Sequence, residues 1–243
     1  MKTAKRFFFI WLLALVICTT EASAQSLTEE FLQENSLTLK TIQLIILITV
    51  LSLAPGIAIM VTCFPFIVTV LSILRQAIGL QQAPPNMLLV SLALFLTYYI
   101  MEPVFTEAWT DGIDPYFQQN VSAKEAFQKT SEPFAKFMSG RVDQDTLAAL
   151  LELRHVDLKD HAPPPLSVLV PSFMLSEIAR AFQIGFLIFL PFVIIDLVVA
   201  AILMSMGMMM VPPAMVALPF KLAFFVVADG WALIAEALVR GYL

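Results

Sequence analysis

Two stretches of this chain share one order of features, and they decide its fold. Residues 65–87 read PFIVTVLSILRQAIGLQQAPPNM, and residues 191–215 read PFVIIDLVVAAILMSMGMMMVPPAM. Each has a Pro-Phe start, a long apolar run, a glycine, two consecutive prolines and a methionine two residues later. The offset is 126 residues between Pro65 and Pro191 and 128 between Pro84 and Pro212, so a single two-residue insertion aligns the stretches.

Each stretch is followed by a further apolar segment, so the pattern predicts two related helical hairpins. The turn of the first contains Pro84 and Pro85, and the turn of the second contains Pro212 and Pro213, because consecutive prolines stop a helix. Internal repeats of this kind are common in membrane transport folds. The alternative is chance, since any two hydrophobic hairpins resemble each other to some degree.

The composition indicates a membrane protein. Apolar residues make up 59% of the 243 residues and only 14% are charged, whereas a soluble domain has about 25% charged residues. Mean hydropathy is +0.86. The net charge of −5 provides no basic face, so nucleic acid is excluded as a partner.

The first 24 residues have the features of a signal peptide. Three basic residues precede an apolar run from Phe7 to about Cys18, and Ala22-Ser23-Ala24 before Gln25 fits signal peptidase. Cleavage between Ala24 and Gln25 is therefore expected; the alternative is an uncleaved span, although the run is short for one. Without the leader Cys63 is the sole cysteine, so no intrachain disulfide can form.

The mature chain divides by composition into four parts. We expect an N-terminal segment over 25–41, a first apolar helical hairpin over 42–105, a polar insert over 106–165 and a second apolar hairpin over 166–243. Prolines 55 and 65 are expected to kink the first apolar stretch or split it. In the insert, Ser122 and Glu125 form a capping-box pattern that predicts a helix to about Met138, and a second short helix is predicted over 145–153. The fold class is all-α.

Hydropathy alone gives four membrane spans. The leader places the mature N-terminus across the membrane, and Arg75 beside the first turn favours the cytoplasmic side for both turns. The insert is then periplasmic.

Charged residues within the second hairpin do not suit helices that face lipid all round. They are Glu177, Arg180, Asp196, Lys221, Asp229, Glu236 and Arg240. A charge at the bilayer centre costs about 2.5 to 3.5 kcal/mol, so four deep charges cost roughly 10 to 14 kcal/mol. Pairing within the subunit or between copies is therefore expected. For Glu236 and Arg240, snorkelling to an interface is the alternative.

The methionine-rich turn of the second hairpin has three possible explanations. Five of its residues are methionine: Met204, Met206, Met208, Met209 and Met210. They could be apolar filler, a Cu(I) site built from soft thioether ligands, or a deformable lining. No histidine or cysteine lies nearby, and no phosphate loop, metalloprotease, serine hydrolase or CxxC motif is present. We therefore expect no enzyme activity, no cofactor and no metal.

The longest motifs of the chain resemble the FliP family of flagellar type III export gates, which has counterparts in injectisomes. They are LSILRQAIGLQQAPPNMLLVSLALFLTYYIMEPV (71–104), PSFMLSEIARAFQIGFLIFLPFVIIDLVVAAILMSMGMMMVPP (171–213) and LPFKLAFFVVADGW (218–231). With the insert, the similarity covers nearly the whole mature chain. The leader and the insert resemble the flagellar branch.

The resemblance implies a function and a set of partners. Several copies of the chain, five in the family, would assemble with FliQ-like and FliR-like subunits into a closed pore in the bacterial inner membrane, beside FlhA-like and FlhB-like export components. Unfolded flagellar proteins would pass through it. It further implies that the hairpins are buried largely in protein, that the methionines form a gasket, and that Glu177 and Lys221 contact neighbouring subunits. Less favoured alternatives are an injectisome subunit and a small-ion or Cu(I) transporter.

Overall fold

The computed structural model describes residues 37–80, 84–155, 164–208 and 210–242 as helices joined by short turns, with no strand in these ranges. The signal peptide, its cleavage site at Ala24 and Gln25, and residues 25–36 lie outside the described residues. The helices are α1 (Leu37–Met60), α2 (Phe64–Ile78), α3 (Asn86–Ala108), a π-helix (Trp109–Ile113), α4 (Asp114–Phe117), α5 (Ala123–Arg141), α6 (Gln144–Leu153), α7 (Leu166–Ser205), α8 (Pro213–Val227) and α9 (Gly230–Arg240). The predicted all-α class is confirmed.

The chain forms two structural units, and the first ends at Pro55. Its described part is the larger portion of α1. The hydroxyl of Thr49 donates to the Ile45 carbonyl (2.8 Å) and that of Ser52 to the Thr49 carbonyl (2.8 Å). Such bonds satisfy hydroxyl groups locally, so both polar residues are tolerated in an apolar helix.

The second unit, from Gly56 onward, contains the break that separates α1 from α2. The predicted split of the first apolar stretch is observed here: Pro55 stays inside α1, whereas Pro65 lies in the first turn of α2. A proline is tolerated in the first turn because its missing N–H would have no helical partner there. The Thr62 hydroxyl accepts from the Phe64 N–H (3.5 Å) at this start.

Helix α2 is the centre of the second unit. Its buried residues are Pro65, Phe66, Ile67, Val70, Leu71, Leu74, Ala77 and Ile78. They pack against α3, α7 and α8, and Leu238 of α9 belongs to the same buried cluster. The approach of α2 to α7 is close because Gly185 has no side chain: a Cβ there would lie 3.1 Å from Cγ2 of Ile73. A fully buried large apolar side chain contributes about 1.5–3 kcal/mol, so this cluster supplies much of the packing energy.

Both hairpins have the same turn chemistry. Helix α2 leads to Gly79 with φ +89°, and α7 leads to Gly207 with φ +73°. The two glycines are 128 residues apart, the same offset as the Pro-Pro pairs. Pro85 precedes α3, and Pro212 and Pro213 open α8. A left-handed glycine followed by prolines therefore ends one arm and starts the next in each repeat.

The hairpins differ in the arm that leads to the turn. Helix α2 has 15 residues, whereas α7 has 40 and passes through Pro171 and Pro191 without ending. Among the described residues, three helical segments are long and apolar enough to cross a membrane: Lys40–Met60, Asn86–Phe117 and Leu166–Ser205. Helices α8 and α9, bent by 61°, form a fourth if they act as one span. The expected count of four spans is therefore reached only with this bent pair.

The insert contains the two predicted helices. Ser122 and Glu125 form the capping box of α5, with each side chain bonded to the other residue's backbone N–H. Asp143 caps α6 by accepting from the Thr146 N–H (3.0 Å), and this bond holds the pKa of the Asp143 carboxyl below its usual range. A small apolar core joins α5 and α6 to the start of α7; its buried residues are Met138, Val142, Leu147, Leu151, Val168, Leu169 and Phe173.

Candidate functional site: the methionine turn and the buried charges

The methionine turn begins with a well-defined helix end. The Met208 N–H bonds to the Leu203 carbonyl (3.0 Å) and the Gly207 N–H to the Met204 carbonyl (3.1 Å). These two bonds, with Gly207 in the left-handed region, constitute a Schellman motif. The end of α7 is thus fixed by backbone geometry, while the methionine side chains are not used to close it.

The methionine side chains are mostly exposed. Met204 is 62% exposed, Met206 66% and Met210 98%, and Met208 is less so at 42%. Met209 lies outside the described residues. Met206 and Met208 contribute to an apolar groove of about 490 Å³ between α7 and α8, lined also by Ile194, Ile195, Val198, Val199, Ile202, Leu203, Val216 and Phe220. The described residues of this chain therefore leave the turn without a cover.

Lys221 links the helices α2, α7 and α8. Its ammonium donates to Asp196 Oδ2 of α7 (2.7 Å) and to the Ala77 carbonyl in the last turn of α2 (3.1 Å). Lys221 itself lies on α8 and is 7% exposed. A cation is favourable beside a helix C-terminus, where carbonyl groups lack helical partners. One side chain therefore joins both hairpins.

Glu177 is the second buried charge, and it is fully buried on α7. Its Oε1 accepts from Arg180 Nη1 (2.9 Å) and from Arg141 Nε (3.3 Å). The Tyr242 hydroxyl donates to Oε2. Glu177 is thus paired with Arg180, three residues on in α7, and with Arg141, which comes from the insert.

The segment after α9 completes this site. Arg141 Nη1 donates to the Gly241 carbonyl (2.6 Å), and its guanidinium lies 3.9 Å from the centre of the Tyr242 ring. The same ring stacks on Phe137 and meets the edge of Phe66. Burial, and then the neighbouring Glu177 carboxylate, raise the pKa of the Tyr242 hydroxyl above its usual range. Tyr242 therefore acts as a donor to Glu177.

Sequence reasoning missed Arg141 and Tyr242. They are 36 and 65 residues from Glu177 along the chain, and no spacing rule connects residues so far apart. The available signal was a charge count. The apolar second hairpin has four acids and three bases, an excess that predicts a base from outside the hairpin but does not say which residue supplies it or which acid it contacts.

Within this chain the structure pairs six of the seven charges of the second hairpin, and the expected contacts of Glu177 and Lys221 with neighbouring subunits stay a prediction. Glu177 and Lys221 do not pair with each other; each has the intrachain partners given above. Glu236 and Arg240 form an exposed pair at 2.5 Å. Asp229 is exposed between α8 and α9 at φ +48° and has no side-chain partner among the described residues. Asp229 is thus the charge of this set that the described chain leaves uncompensated.

Comparison with known proteins places the whole arrangement in a family. The sequence pattern of the FliP family matches residues 47–238. The chain is similar to proteins named flagellar biosynthetic protein FliP. The one from Caulobacter vibrioides is 49% identical over 243 residues, covering 98% of this chain and 91% of the relative. That from Rhizobium meliloti is 45% identical (97% and 99% covered), and that from Bacillus subtilis 48% identical (83% and 92% covered). From this match, which includes both hairpins and the insert between them, it follows that the chain belongs to the FliP family.

Proposed function

We propose that this chain is a component of the flagellar protein export apparatus in the bacterial inner membrane. Its relatives are named flagellar biosynthetic proteins, and its long apolar helices suit a membrane location. Within that apparatus it is a pore-forming subunit that conducts unfolded flagellar proteins and is not itself an enzyme. Five copies assemble with FliQ-like and FliR-like subunits, beside FlhA-like and FlhB-like components, with the insert in the periplasm.

The observation that carries the pore proposal is the exposed methionine turn. A filler residue is expected inside a core, yet Met210 is 98% exposed. Gly207 ends α7 before the turn, and Pro212 and Pro213 start α8 after it. A methionine side chain has three rotatable bonds and a polarisable sulfur, so it adapts to surfaces of different shape. A ring of such turns can close around a passing chain of any sequence. This is the requirement for a gasket.

The charges support burial of the hairpins in protein. Glu177 and Lys221 are satisfied inside the chain, so they help to fix the subunit's own shape. Asp229 pairs with a basic residue of a neighbouring subunit, since an uncompensated charge among apolar helices is costly. The exposed side chains of Val226 and Val227, 73% and 87% exposed, adjoin it. A partner that offers a basic side chain with apolar surface around it fits this position.

Replacing Met208, Met209 and Met210 by alanine tests the gasket. Three shortened side chains leave a gap at the axis, so we expect cells with the variant to leak small solutes, measured as uptake of a normally excluded dye. Met87→Ala is the matched control, because Met87 is 80% exposed and follows the other Pro-Pro turn. Unchanged permeability of the triple variant, with the complex assembled, would count against the gasket.

A further inference from the structure

The polar insert and the segment after α9 meet at a single carboxylate. Arg141, the last residue of α5, bonds to Glu177 and to the Gly241 carbonyl, and Tyr242 bonds to Glu177. We name Arg141, Glu177 and Tyr242 the Glu177 latch. Three distant parts of the chain contribute to it: the insert, helix α7 and the segment after the last helix.

The members of the latch support one another. Glu177 is fully buried, and losing Arg141 or Tyr242 removes one of its hydrogen bonds to a buried charge and leaves Arg180 as its cation, so the loss is destabilising although the charge stays paired. Arg141 cannot move away without also breaking its bond to Gly241 and its stacking on Tyr242. Tyr242 cannot leave without exposing the Arg141 and Glu177 charges on one side. Opening at one end therefore favours opening at the other.

Two further hydrogen bonds join the insert to the helix that carries Glu177. The Asp143 N–H, just past α5, donates to the Ser176 hydroxyl on α7 (2.9 Å). Arg180 Nη2 donates to the Arg141 carbonyl (3.3 Å). Side chains of α7 thus hydrogen-bond to the backbone at the end of α5 and position Arg141. The Arg141 side chain therefore reaches Glu177 only when the insert is folded.

We propose that the polar insert acts as a brace that closes the C-terminal helix onto the hairpin bundle, through the Glu177 latch. The end of α5 and residues 236–242 then open and close together as one cooperative unit. This gives the insert a role that a pore made of hairpins does not require. The brace depends on contacts within one chain and does not require that the chain form a pore.

Hydrogen–deuterium exchange of the full chain in its assembled complex tests the coupling. Arg141→Gln removes the charge and the bond to Gly241, so we expect amides of residues 236–242 to exchange about tenfold faster or more, the effect of losing a hydrogen bond to a charged group. Tyr242→Phe removes a single hydroxyl, and we expect faster exchange over residues 138–145. Each substitution thus acts at the distant end of the latch.

Two matched controls separate coupling from general loosening. Arg154→Gln removes another insert arginine, which bonds only to Ser167 among the described residues, and Glu236→Gln breaks the exposed pair on α9. Neither is expected to change exchange at the opposite end. The brace would be overturned if Arg141→Gln speeds amide exchange only near residue 141. It would also be overturned if Tyr242→Phe and the unaltered chain exchange at the same rate over residues 138–145. If Arg141→Gln does not accumulate, the Tyr242→Phe result decides alone.

Discussion

Gly207 shows how one residue sets the position of the methionine turn. Its φ of +73° lies in the left-handed region, which costs a residue with a Cβ roughly 1–2 kcal/mol. Apart from its two chain neighbours, no described residue has an atom within 4 Å of where a Cβ would stand, so the cost of a substitution here is conformational and not a clash with those residues. The backbone conformation of the turn therefore depends on Gly207 and not on a methionine.

Gly207→Ala is expected to destabilise the end of α7 by about 1 kcal/mol and to let the methionines leave their position. Thermal unfolding of the purified complex and dye uptake by cells measure the two effects. Gly207→Asn is the control, because asparagine tolerates the left-handed region better than alanine does. Equal melting temperatures for the two variants would show that the turn does not need this conformation.

At the level of single elements, the π-helix Trp109–Ile113 depends on its contact with α5. A Cβ on Gly112 would lie 2.6 Å from the backbone N and 2.8 Å from Cα of Thr130. These are backbone atoms that cannot turn aside. The glycine therefore permits an approach of two helical elements that any larger residue prevents.

Gly112→Ala is expected to cost about 1–3 kcal/mol through overpacking. Gly140→Ala offers the contrast within the same insert: Gly140 is helical, and nothing lies within 4 Å of its Cβ position. That variant is expected to gain up to about 1 kcal/mol from helix propensity. Unfolding of the two variants, followed by circular dichroism, compares them directly. A stabilising Gly112→Ala would rule out the tight contact.

Prediction from sequence succeeded where the signal was local and failed where pairing was distant. The capping box of α5 and the Pro-Pro turns involve residues within a few positions, so the sequence was sufficient for them. Prolines were ambiguous, because Pro65 opens a helix while Pro55 and Pro191 lie inside one. Tertiary packing decides between those outcomes. For the same reason, Arg141 and Tyr242 could not be assigned to Glu177 in advance.

At the level of the whole molecule, Lys221 is the point at which the two repeats hold each other. It bonds to Asp196 in its own hairpin and to the C-terminal end of α2 in the other. By the offset of 128, the position matching Lys221 in the first hairpin is Ala93, which is fully buried. Matching positions of the two hairpins thus hold an apolar residue, Ala93, and a charged one, Lys221. A hairpin of this kind can therefore form without the charge.

Lys221→Met should therefore be costly alone and tolerated in combination. Alone, it leaves Asp196 beside α2 without its cation, and we expect a loss of about 1–3 kcal/mol, less than for a fully buried pair because the Asp196 side chain is 39% exposed. Adding Asp196→Leu removes the uncompensated charge and is expected to restore most of the stability. Arg240→Gln, which breaks an exposed pair, should cost under about 1 kcal/mol. Thermal unfolding of the assembled complex ranks the four proteins. A double variant less stable than Lys221→Met would mean that the repeats require the ion pair itself.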